Sequence, residues 1–368
     1  MKIPLSKVDL LDEDRKRVDD VLRSGWIMQG PRVEEFEKSV ATFCKTPLAI
    51  ATSSGTTALH LALELLGIGA GDEVIVPSFS WIASANSIRY TGAIPVFCDV
   101  TLDTYNMNPK NVATLLSDRT KAMMVVHQFG MPCDMNALTI LAEKHHIPII
   151  EDAACAIGSR YGNEPIGSAS RVRISCLSFH PRNVVNTAEG GMLLTRDTKL
   201  AEKARILRNH GMKIPPPADS FPILGYNYRM TDMQAALGIG QIERLGTTIT
   251  RRRTLASLYH EHLAKFAGVL PPTEETKSFS NFQSYMIRLE GSLSKKRDVI
   301  VDKLAASGIA SKKSIAPIHL QECYKGQPHT GPLPNTEQLA TDGLILPLYA
   351  SMSDGDIDFV CKTLKSSI

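Results

Sequence analysis

Between Ile50 and Thr195 short apolar runs alternate with helix-like stretches, and this rhythm constrains the fold more than any other feature of the chain. The runs DEVIVPS, IPVFCDV, KAMMVVHQFG, IPIIEDAA, ISCLSFH and GGMLLT are rich in Val and Ile and carry few charges. Strands covered on both faces read this way. Between them, residues 57–66, 82–90 and 134–145 read as helices. Repeated strand–helix–strand units predict an α/β fold with a largely parallel, doubly wound sheet. Many enzymes share that scaffold, so the fold alone does not decide the chemistry.

After Thr195 the pattern changes to charged helices, DTKLAEKARILRNHG and MTDMQAALGIGQIERLGTTITRRRTLASLYHEHL. The loop between them contains Pro215-Pro216-Pro217 and reads as a surface crossing. From about Phe266 a strand-like FQSYMIRLE, a helix near 295–307 and a polar terminal helix suggest a smaller α+β domain. We expect a large domain over 1–245 and a small C-terminal domain over 246–368. No internal repeat is visible.

A chain of 368 residues, 43% apolar and 21% charged, can bury a substantial core and should fold throughout. The net charge of +3 is too weak for a phosphate-binding stripe, so no nucleic acid partner is expected. The triplet Arg251-Arg252-Arg253 reads as a solvated helix face. The N-terminal segment is polar and no stretch reaches about 18 uninterrupted apolar residues, so we expect a cytoplasmic protein with no membrane partner. Seven scattered cysteines without a CxxC pair read as reduced thiols, most of them buried. His260 and His262, two apart on a helix, diverge and suggest no metal.

In an open parallel sheet the ligand sits beyond the carboxyl ends of the strands. The residues there are Ser53 to Thr57, Ser78 to Trp81, His127-Gln128, Glu151-Asp152 and Ser178 to Asn183. TSSGTTALHLALELL puts small hydroxyl residues and a glycine before an apolar helix, an arrangement suited to phosphate. Ordinary N-capping explains the same residues equally well. Asp152 follows an apolar run, so its carboxylate needs a hydrogen-bonding or cationic partner. A protonated pyridine nitrogen would serve, as would a helix start or a salt bridge.

SGWIMQGPRVEEFE, SSGTTALHLAL, GDEVIVPSFSWIASANSI, GAIPVFCDV, IPIIEDAA, LSFHPRN, AEGGMLLT, RNHGM, GYNYRMTDMQAALG and IAPIHLQECY occur in that order over nearly the whole chain. In this they resemble the DegT/DnrJ/EryC1/StrS family of pyridoxal-phosphate (PLP) sugar aminotransferases, of the aspartate aminotransferase fold (fold type I). The resemblance implies that 1–245 binds PLP. Phosphate contacts fall on Gly55, Thr56 and Ser178, with Asn227 lent by the neighbouring subunit of a homodimer with shared active sites. Trp81 would lie over the pyridine ring and Asp152 would pair with its nitrogen. Trp26, Gln29, His319 and Tyr324 fall in segments that reach the sugar, although His319 also reads as a loop histidine packed against Tyr324. The implied substrates are a nucleotide-linked keto-deoxysugar and glutamate, the amine donor.

The resemblance breaks at position 183, where the family's SFHxxKxxxxxEGG carries the lysine that links covalently to the cofactor and shuttles the proton. Here the residue is Asn183. A carboxamide has no free amine for a Schiff base and is no base near neutral pH. Neither Arg182, always protonated, nor His180, part of the family pattern, replaces it. Cys155 stands where the family usually has Gln or His. PLP, or its amine form PMP, should therefore be held non-covalently, with position 183, His180 and Asp152 as the catalytic set. Four readings compete: an aminotransferase trapped by an engineered substitution, a PMP-dependent sugar dehydratase, a non-catalytic sugar-binding paralogue, and a sugar-nucleotide sensor.

Overall fold

A computed structural model describes residues 2–213, 220–326 and 331–368. The triproline crossing expected at Pro215-Pro216-Pro217 lies outside the described residues.

Two helices, α1 (Asp12–Ser24) and α2 (Pro31–Cys44), precede strand β1 (Leu48–Thr52), helix α3 (Gly55–Leu65), strand β2 (Glu73–Pro77), helix α4 (Ala83–Tyr90) and strand β3 (Ile94–Cys98). Strands β4 (Thr120–Val126) and β5 (Ile149–Asp152) follow, then a small hairpin of β6 (Arg160–Tyr161) and β7 (Glu164–Pro165), then β8 (Ile174–Ser178) and β9 (Gly191–Thr195). Seven of these strands form one sheet in the order β1-β9-β8-β5-β4-β2-β3. Their neighbours are parallel except at β9, which runs antiparallel to both β1 and β8. The chain returns from β8 to β9 through residues 179–190 without a helix, and such a direct return reverses the strand.

Successive side chains in these strands enter different cores. Ile75, Met123 and Leu177 pack with Val33, Phe36 and Ile239 on one face. Val74, Val76, Met124 and Ile150 pack with Leu59 and Leu63 of α3 on the other. Double coverage is why the apolar runs are continuous rather than alternating.

The strand-like FQSYMIRLE contains the strand Tyr285–Leu289, and the C-terminal part builds a second sheet. Its strands are β10 (Val269–Leu270), β12 (Tyr285–Leu289), β13 (Lys312–Lys313) and β14 (Gly343–Leu346); β11 (Ser278–Phe279) pairs with β6 instead. A third core, including Tyr259, Tyr285, Leu304 and Val360, lies against this sheet. The large and small sheets meet where the Asp99 carboxylate, just after β3, accepts from Asn335 N at 3.0 Å and from Thr336 N and Oγ1 at 2.8 and 2.7 Å. These donors open the helix Pro334–Asp342, so Asp99 caps an element of the other sheet's neighbourhood.

Two expectations need correction. The segment from Met230 to Leu263 is two helices, Asp232–Glu243 and Leu245–Leu263, broken at Arg244, whose guanidinium pairs with Asp14 and the Asp9 carbonyl. The arginine triplet is not a solvated face. Arg251 pairs with Asp354, Arg253 with Glu274, and Arg252 is buried, donating to the carbonyls of Phe282, Gln283 and Leu348. The net charge of the triplet, read without its distant partners, could not reveal this. Among the described residues no helix is long and apolar enough to cross a membrane, and no group of side chains could hold a metal. All seven cysteines are free, and five are buried.

Candidate active site

The parallel strands align Ser53, Ser78, His127, Asp152 and Ser178 along the carboxyl edge of the sheet. Helix α3 begins there. Ser54 Oγ accepts from Thr57 N at 3.1 Å while Thr57 Oγ1 accepts from Ser54 N at 3.0 Å, a reciprocal cap. The hydroxyl residues therefore do cap the helix, yet the N–H groups of Gly55 and Thr56 retain no intrahelical acceptor. Gly55 lies against the end of β8. A Cβ there would fall 2.6 Å from Ser178 Cβ and 3.3 Å from its Cα, so only glycine lets the helix start reach Ser178. Two amides at a helix start therefore lie beside the Ser178 hydroxyl, a donor set suited to phosphate.

At the other end Asp152 is 5% exposed. Its Oδ2 accepts from Ser84 Oγ at 2.8 Å and its Oδ1 from Ala154 N at 3.2 Å. No Lys or Arg among the described residues forms an ion pair with it. Burial pushes its carboxyl above the usual range, and the hydrogen bonds from Ser84 and Ala154 only partly oppose this. Glu151, one residue earlier, faces the other side of the strand. There it accepts from His127 Nε2 at 3.0 Å, Ser175 Oγ at 2.5 Å and Gly167 N at 2.9 Å. Burial raises its carboxyl too, but those donors outweigh burial and hold it below the ordinary range. His127 Nδ1 accepts from Cys133 N, so the ring proton sits on Nε2 and points at Glu151. Glu151 is thus a satisfied structural group, whereas Asp152 is a buried carboxylate with no cationic partner among the described residues. A pyridine nitrogen, which gains a proton beside such a group, fits it.

Asn183 bridges the remaining wall. Its Nδ2 donates to Ser178 O at 3.0 Å, and Cys155 Sγ lies 3.8 Å from its Oδ1. Burial, and secondarily the charge of Asp152, push the Cys155 thiol up to about 12, so it stays protonated at neutral pH. His180 is exposed; its Nδ1 accepts from Arg182 N and its carbonyl from Asn183 N, which shapes the turn that presents Asn183. Trp81 is 67% exposed just before α4, the helix whose Ser84 holds Asp152. The structure therefore gathers Gly55, Thr56, Trp81, Asp152, Cys155, Ser178 and Asn183 around one strand edge.

The other sequence-selected residues sit apart from this group. Asn227 is exposed, and its neighbours in sequence Tyr226 and Tyr228 stack on each other, on a loop tied to Ser53 through Tyr228 O. Trp26 is exposed, with Nε1 3.4 Å from Gln29 O, and the buried Gln29 Oε1 has no hydrogen-bond partner among the described residues. His319 does not simply pack on Tyr324: its backbone N–H donates to Ser78 Oγ, which returns a 2.6 Å bond to Nδ1. Tyr324 is buried and donates to Asn86 at 2.8 Å. Sequence reasoning missed Ser84, which lies 68 residues from Asp152, and Lys312, whose Nζ is 5.9 Å from the centre of the Trp81 ring. Neither has a local signal, because both arrive from distant elements.

Comparison with known proteins fits this geometry. The chain is 40% identical to GDP-perosamine synthase of Caulobacter vibrioides, over 99% of this chain and 97% of that protein. DesV of S. venezuelae shares the fold with a TM-score of 0.93 at 34% identity, covering 99% of this chain and 98% of that one. Spr1654 of Streptococcus pneumoniae, solved in a PMP form, matches with a TM-score of 0.94 at 30% identity, covering 99% and 97% of the two chains. The fold is therefore fold type I, as the resemblance implied. Residues 9–365 match the family as a whole, and the chain belongs to the DegT/DnrJ/EryC1/StrS aminotransferase family.

Proposed function

We propose that this protein holds PLP or PMP without a covalent link, in a site built to move an amine from glutamate to a nucleotide-linked keto-deoxysugar. The observation that carries this reading is the carboxamide of Asn183, fixed between Ser178 and Cys155 on a rim otherwise suited to the cofactor. The likeness to GDP-perosamine synthase favours a GDP-linked sugar. The N–H groups of Gly55 and Thr56 with Ser178 would hold the phosphate, Asp152 the ring nitrogen, and Trp81 one ring face. When bound, the pyridine ring supplies an electron sink for the carbon that exchanges its proton.

This chain's own residues orient and bind, but none at position 183 moves that proton. Losing one acid–base group costs on the order of 10²–10⁴ in rate, and this position also carries the covalent exchange, so turnover is slow or absent. The exposure of Asn227 supports a homodimer in which it completes the partner's phosphate site. The helix break at Arg244 supports a cofactor unit over 1–245 and a smaller unit over 246–368, and a cytoplasmic setting suits both substrates.

A second reading is favoured by the contact of Asn183 with Cys155. Two departures from the family pattern that touch each other read as a matched pair, as in a paralogue that binds the sugar without aminating it, or one that dehydrates it with PMP. Replacing Asn183→Lys and supplying glutamate with a GDP-linked keto sugar separates the two. Amination by the single variant supports the aminotransferase reading, and inertness of a variant that has taken up PLP overturns it in favour of the second.

A further inference from the structure

Lys312 and its neighbour Lys313 form the two-residue strand β13 and, by strand alternation, point opposite ways. Lys313 is exposed and paired with Asp298 at 2.5 Å. Lys312 is partly buried, with its Nζ 5.9 Å from the centre of the Trp81 ring. Among the described residues neither Lys312 nor Arg182 has a carboxylate partner. Arg182 precedes Asn183 directly, so the two cations come from the neighbourhoods of different sheets, one beside Trp81 and one next to Asn183 in the chain.

We propose that Lys312 and Arg182 form the seat for a carboxylate of the amino donor. The inference rests on the amine-transfer reading above. Two like charges brought together without a counter-ion are costly, and an arriving anion removes that cost. Burial, with the charge of Arg182 beside it, pushes the Lys312 amine below its ordinary range, as expected of a cation awaiting a partner. The cofactor phosphate has its own donors at α3 and Ser178, so the anion in question belongs to a substrate. An amino acid's α-carboxylate is attached to the very carbon that bears the amine. The diphosphate of a nucleotide sugar lies beyond the sugar ring. Trp81 and Asn183 both border the reacting centre, and a seat beside them fits the carboxylate.

Calorimetric titration of the PMP-loaded protein, with glutarate as an unreactive dicarboxylate and GDP as a diphosphate, tests this. Lys312→Met and Arg182→Met should each weaken glutarate by about ten-fold or more, the scale of a lost charge-assisted hydrogen bond, and leave GDP unchanged. Lys312→Arg should retain most of the glutarate affinity, which also controls for folding of the β13 edge. Glutarate binding indifferent to Lys312→Met, or absent from the parent protein, overturns the proposal. So does a loss confined to GDP, which would assign the seat to the diphosphate. PMP uptake is read separately by absorbance: failure to load overturns the parent reading as well, whereas loading without these effects overturns this inference alone.

Discussion

Asp152 and Asn183 show how single residues set the character of the site. Asp152 is buried with two neutral donors and no cation, and its raised carboxyl pKa has a consequence for stability. A group whose folded pKa exceeds its unfolded value stabilises the fold at low pH, and that contribution is lost as pH rises through the folded pKa. At neutral pH the ionised form of Asp152 is therefore a cost, which a protonated ring nitrogen would relieve. Asp152→Asn should melt at least as high as the parent at pH 7.5 in the absence of cofactor, yet take up PMP at least ten-fold more weakly. A lower melting temperature would show that Asp152 serves the fold rather than the ligand. Asp152 was legible from its place at the end of an apolar run, and Asn183 only from the motif around it. Ser84 and Lys312 were not legible, since nothing in their own neighbourhoods encodes a partner from another element.

Among elements, the start of α3 carries the most specific geometry. Its reciprocal cap uses Ser54 and Thr57, and Ser54→Ala should cost about 1 kcal/mol in urea unfolding. Gly55→Ala is a sharper test, because its Cβ would meet Ser178 Cβ at 2.6 Å and part the helix from β8. We expect a loss of about 1–3 kcal/mol, together with weaker PMP binding. Gly246, near the start of the helix Leu245–Leu263, is the control, since a Cβ there meets nothing within 4 Å. Gly246→Ala should leave stability unchanged or raise it by up to about 1 kcal/mol. Every main-sheet strand but β1 was readable, because those strands are covered on both faces and so continuously apolar. The break at Arg244 was not, because nothing local marks it, and the partner that holds the Arg244 side chain there is Asp14, some 230 residues earlier in the chain.

At the scale of the whole molecule the site depends on two sheets keeping their relative placement, since Asp152 and Asn183 come from one and Lys312 from the other. Asp99, with three donors from the start of the helix Pro334–Asp342, is one of the joints between them. Asp99→Ala should lower stability by about 1–3 kcal/mol, as expected when buried donors lose a charged acceptor. It should also weaken glutarate binding more than PMP binding, and equal losses would mean that the joint does not position Lys312. The α/β class and the order of strands and helices followed from periodicity, whereas the meeting of the two sheets depended on buried polar contacts such as those of Asp99. On the proposed function, a family built around a covalently held cofactor has here a member that would hold it without a bond. The most direct measurement is intact mass of the PLP-loaded protein after borohydride reduction, with its absorption spectrum recorded before and after. We predict PLP absorbance that is lost on dialysis and no added mass after reduction. A stable adduct, placed by peptide mapping on Lys312 or any other lysine, would contradict the account and show that another amine has taken the place that Asn183 leaves empty.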